Sequence, residues 1–126
     1  MTAGLSAARA NSILNVLRNT AYSAVATPFV KLYVGDPGAS GATNAAAATT
    51  RNAITWNAAS GGSMTLATLS AFTGTTSETI THIGIWDAST AGNFIESWAL
   101  TSSVPIINGS SLTFSAVTLS LSPVAA

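Results

Sequence analysis

The stretch TITHIGIWDASTAGNFIESWAL, residues 79–100, decides the fold. In its first half Thr81, Ile83 and Ile85 alternate with Ile80, His82, Gly84 and Trp86. That two-residue period belongs to a strand with two different faces. Asp87 to Gly92 is dense in turn formers. From Asn93 the alternation resumes, with Phe94, Glu96, Trp98 and Leu100 against Ile95, Ser97 and Ala99. Two such runs across a short turn predict an antiparallel hairpin.

Upstream, Val30, Leu32 and Val34 alternate with Phe29, Lys31 and Tyr33 and predict a strand that runs into the turn-forming GDPGASG, residues 35–41. Ile54 and Trp56 mark another strand. Met64 and Leu66 share one face of a third, with Leu69 to Phe72 beyond it. Downstream, Val104 to Ile107, the Asn108-Gly109 turn and Leu112 to Leu121 predict a second hairpin. In its last strand the apolar phase flips, from Leu112, Phe114 and Ala116 to Val117, Leu119 and Leu121. A flip of that kind means a bulge or a strand passing between two buried surfaces.

Before Pro28 the period changes to that of a helix. Ala10, Ile13, Leu14, Leu17 and Ala21 form an amphipathic stripe with Asn11, Asn15 and Asn19 opposite. Ser6 is the candidate N-cap, and the helix is expected over Ala8 to Thr20. The expected architecture is all-β: an antiparallel, jelly-roll-like sandwich over residues 28–126, preceded by one helix and a linker over residues 1–27. Ile83, Ile85, Leu32, Ile54 and Leu119 are its expected core.

Composition narrows the function. The chain has 126 residues, four basic and four acidic, and only 6% are charged. Ala, Ser and Thr make up roughly half of it, and about 23% are Leu, Ile, Val or Phe, above the roughly 20% that marks disordered chains. Without a basic stripe it is not expected to bind nucleic acid. No run approaches the ~18 apolar residues that cross a bilayer, and no signal peptide or membrane partner is expected. The absence of cysteine excludes disulfides and thiolate chemistry. An uncharged surface of small hydroxyls and methyls suits packing against copies of the chain or a partner.

Catalysis is poorly provided for. One histidine, His82, and four carboxylates, Asp36, Glu78, Asp87 and Glu96, are the whole inventory. No nucleophile elbow, phosphate-cradling loop or metal-ligand spacing occurs, so neither an enzyme nor a cofactor or metal site is expected. Trp56, Trp86 and Trp98 carry two readings, sugar stacking and packing across strands.

The chain resembles, over almost its full length, a family of small bacteriophage virion proteins described as tail-fibre-like or minor structural proteins. The segments that carry the resemblance are ANSILNVLRNT, KLYVGDPGASGATN, AITWNAASGG, ITHIGIWDASTAGNFIESWALTSS and INGSSLTFSAVTLSLS. Gly35, Asp36, Pro37 and Gly38 match one family turn. Thr81, His82, Gly84, Trp86, Asp87 and Ala88 match a strand that leads into a glycine turn. The resemblance implies a structural role for these motifs and a place in the virion after synthesis in the host cytoplasm. The main expectation is a capsid decoration protein; the alternative is a tail-fibre or minor tail module that touches the host and binds carbohydrate. Expected partners are copies of the chain, as a closed trimer, and capsid or tail proteins, with Ile13, Leu14 and Leu17 as contact candidates.

Overall fold

A computed structural model describes residues 4–120. The fold is all-β with one short N-terminal helix, and eight strands follow: β1 (Phe29–Tyr33), β2 (Asn52–Trp56), β3 (Ser63–Leu69), β4 (Phe72–Thr73), β5 (Glu78–Trp86), β6 (Phe94–Ile106), β7 (Ser111–Leu112) and β8 (Thr118–Ser120). Six of them form an antiparallel sheet in the order β6-β5-β1-β2-β3-β8, which curls into a half-barrel. β4 and β7 make a separate two-stranded ladder.

The alternation in β1 and β5 sorts side chains between the faces of the curled sheet. Val30 pairs with Ile85 and Leu32 with Ile83, and all four are buried. Ile54 of β2 joins them, and Ile80, Phe72, Ile95, Ile106 and Leu112 extend the same core. Phe29, Lys31 and Tyr33 pair with Trp86, Gly84 and His82 on the opposite face. The expected core positions Leu32, Ile54, Ile83 and Ile85 are therefore correct. Leu119 is not: it sits half-buried on β8, the last strand of the sheet among the described residues.

The first predicted hairpin forms, but β6 runs on to Ile106, well beyond Leu100. Between the pairs Ile80–Val104 and His82–Ala99 the register shifts, and a second shift lies beside Ile85–Trp86. The second predicted hairpin does not form. After the Asn108-Gly109 turn, β7 pairs with β4 rather than returning along β6; across that junction the Gly74 N–H donates to the Ser110 carbonyl and the Gly74 carbonyl accepts from the Gly109 N–H. The chain then crosses to the large sheet as β8. The phase flip marks this crossing: Leu112 is buried against the small ladder, whereas Leu119 pairs with Met64 of β3. Leu121 lies outside the described residues.

The helix α1 spans Ala7–Asn15 and tightens into a single 3-10 turn over Val16–Arg18. Ser6 caps it, accepting from the Arg9 N–H at 3.3 Å. Asn19, at φ 60°, adopts the left-handed conformation that ends it, one residue before the predicted limit.

Ile83 touches the centre of this core, so Ile83→Ala should cost roughly 2–5 kcal/mol by leaving a cavity. Urea unfolding should show a lower midpoint with an unchanged slope.

Candidate functional site

The two predicted motifs meet around one aromatic cluster. Tyr33, at the end of β1, is fully buried and donates its hydroxyl to the Gly41 carbonyl at 2.9 Å. It also accepts from the indole Nε1–H of Trp86 at 3.0 Å. Phe94 crosses the Trp86 ring edge-on with centroids 5.5 Å apart. Two glycines permit this packing. A Cβ on Gly84 would lie 2.8 Å from the Tyr33 ring, and one on Gly41, at φ +68°, would lie 2.8 Å from the Trp86 ring.

The loop that delivers Gly41 is built by the first motif. The Asp36 carboxylate accepts from the Gly38 N–H at 2.8 Å, and its carbonyl accepts from Asn44 Nδ2 at 2.8 Å and from the Thr43 hydroxyl at 3.0 Å. The second motif builds the neighbouring turn. Asp87 accepts from the main-chain N–H and the side-chain amide of Asn93, at 2.6 and 2.8 Å, and these bonds hold its carboxyl below the usual range. Arg51 closes the cluster. Its guanidinium stacks 3.7 Å from the Trp86 centroid and donates to the carbonyls of Ala88 and Ala91.

Thr81 and His82 stay apart from this cluster's contacts, the Thr81 hydroxyl lying 2.8 Å from His82 Nδ1. Glu78, like Asp36 and Asp87, receives main-chain N–H groups, here from Ala47 and Ala48. Among the described residues no three His, Asp or Glu side chains converge as metal ligands do. Each tryptophan has a packing contact. Arg51 covers Trp86, and Trp56 and Trp98 lie against the core.

A second feature lies under the helix. Residues Gly4 to Ser6 run along the outer flank of β6, with Leu5 opposite Glu96. Two main-chain bonds hold them, Ser6 N–H to Ile95 at 2.8 Å and Ser97 N–H to Gly4 at 2.9 Å. The register shift beside Ile85–Trp86 puts Phe94 opposite Trp86, while Glu96 falls opposite Ile85 on the core side. Phe94 and Glu96, which alternation alone assigned to one face, are thus separated. Glu96 lines an apolar groove of about 380 Å³ between the helix and the mouth of the half-barrel, with Leu5, Ile13, Ile85, Trp56 and Leu119. Burial pushes its carboxyl up to about 7, against the pull of Arg9, which itself donates to the Tyr22 hydroxyl at 2.7 Å. One sign of this was present in the sequence, a lone carboxylate in phase with Trp98 and Leu100.

The contact candidates of the helix divide. Ile13 lines the groove, whereas Leu14 is 62% and Leu17 88% exposed. None of the helical residues is buried.

Residues 4–122 match the model of a protein family described as podophage GP4 fiber I protein gp80. No curated protein matches the chain.

Glu96 gives the groove a measurable signature. Its reference value is 4.5, so between that pH and about 7 the folded protein keeps a proton that the unfolded chain has lost. Its contribution to stability is therefore most favourable below 4.5, falls as pH rises through this window and levels off above about 7. Glu96→Gln should flatten that fall and raise the melting temperature at neutral pH, as thermal unfolding across the window will record.

Proposed function

The chain belongs to this podophage fibre family, and from that premise we propose that it serves as a non-enzymatic fibre module that joins copies of itself through the N-terminal helix. Membership makes it a virion structural protein of tail-fibre-like type. It favours the fibre alternative over capsid decoration, the main expectation from the sequence. The shape of the half-barrel, with its ordered turns around Trp86, suits a module that presents those turns to the host surface.

The single observation that supports the assembly role is the outward apolar face of the helix. Leu14 and Leu17, three residues apart and so on one face, are 62% and 88% exposed. Large exposed aliphatics grouped on one short element mark an interaction surface rather than ordinary scatter. A chain of zero net charge does not repel its copies. Closed cyclic association then lets many weak contacts act together.

The test is sedimentation of the intact chain and of the double variant Leu14→Asp, Leu17→Asp. The wild type should associate, with little response to added salt, and the variant should sediment as a monomer that still unfolds in one cooperative transition, at a midpoint lowered only by the lost association. A monomeric wild type, or an associating variant, would refute the assembly role.

A further inference from the structure

Lys31 and Arg51 form a pair that the fold does not neutralise. Lys31 follows Val30 and Arg51 precedes Asn52, just past the last pair of the β1–β2 ladder. Both reach the same indole: the Arg51 guanidinium lies 3.7 Å from the Trp86 centroid and the Lys31 ammonium 5.8 Å from it. The ammonium is also 5.4 Å from the Tyr33 ring. Like charges gathered at one ring repel each other. Here they are two of the chain's four cations.

No carboxylate offsets them among the described residues. Asp87 is engaged by Asn93, and Asp36 holds the Gly38 N–H in its own loop. Burial, and after it the charge of Arg51, depresses the Lys31 ammonium's affinity for its proton. The Arg51 guanidinium is fixed by its stacking and by two carbonyl bonds, both from Nη1. A guanidinium has five N–H donors, so donors remain on a group that is already oriented. Both cations are half-buried, where an opposite charge is attracted more strongly than in open water.

The surroundings suit a sugar. Two turns lean on Trp86, one through Gly41 and one through Arg51, and their exposed hydroxyls are Ser40, Ser89 and Thr90. We propose that Lys31 and Arg51, set around the Trp86 indole, form a subsite for the oxyanion of an acidic glycan, a sugar carboxylate or phosphate. The glycan as carrier rests on the reading of the chain as a host-facing fibre module. The oxyanion chemistry rests on the cation pair alone.

The experiment is a titration of the intact chain followed by the indole N–H resonance of Trp86. The probes are sodium glucuronate, its neutral methyl ester, glucose 6-phosphate and inorganic phosphate. Glucuronate or glucose 6-phosphate should shift the resonance saturably, and which binds tighter identifies the acid. The ester should not shift it. Lys31→Gln should weaken binding about tenfold, the loss expected for one charge-assisted hydrogen bond, and Lys31→Arg should restore it. No saturable shift in the wild type with any anion would overturn the subsite, as would equal binding by Lys31→Gln. Inorganic phosphate binding as tightly as both sugar acids would overturn the glycan and leave a bare oxyanion site. The titration does not depend on association, so its failure leaves the assembly role standing.

Discussion

The rest of the structure hangs on the relay from the Trp86 indole through the Tyr33 hydroxyl to the Gly41 carbonyl. A buried phenol must have its hydrogen bonds or cost stability. Here the donor comes from β5 and the acceptor from the loop after β1. One hydroxyl therefore ties together a strand, its neighbour and the longest turn that crosses them. Gly84 and Gly41 leave the space for it, and Phe94 packs against the same ring. Desolvation raises the Tyr33 hydroxyl above its ordinary value, so the phenol remains a neutral donor and acceptor at physiological pH.

Around that relay the molecule manages with little charge. Its few ionic groups serve backbone geometry: Asp36 and Asp87 close turns, Glu78 receives two main-chain N–H groups, and Arg51 fastens the turn after β5 to the indole. Exposed strand positions are filled by threonine and serine, as in the Thr55–Thr68 contact of 2.6 Å between β2 and β3. Such cross-strand hydroxyl pairs contribute in place of salt bridges and are insensitive to ionic strength. Glu96 and Lys31 depart from this economy.

The sequence was most legible where period and burial agree. Ile83 and Ile85 against Leu32 and Val30 could be placed because both strands keep strict alternation through their shared ladder. Alternation failed where the ladder slips. The shift beside Ile85 sends Phe94 to the aromatic face and Glu96 into the groove, an event that depends on pairing across the hairpin and is marked within β6 only by the lone carboxylate. Leu112 and Leu119 showed a related limit. Their phase flip was visible, but the choice of partner, β4 for one and β3 for the other, is tertiary. The meeting of the two turns at Trp86 was not legible, because Arg51 and Gly41 lie outside both motifs.

The lie of Gly4 to Ser6 along β6 has a mechanical meaning. Helix and sheet are joined there through main-chain bonds running side by side, Ser6 to Ile95 and Gly4 to Ser97. Tension applied at the helix along the strand axis stretches both bonds together, in shear. Tension applied across the axis opens them in succession, like a zip. β6, thirteen residues long, is the strand that receives the pull and passes it to β5 along their shared ladder. Rupture under force follows the rate of unfolding rather than its equilibrium, so the direction of pull governs how long the join survives.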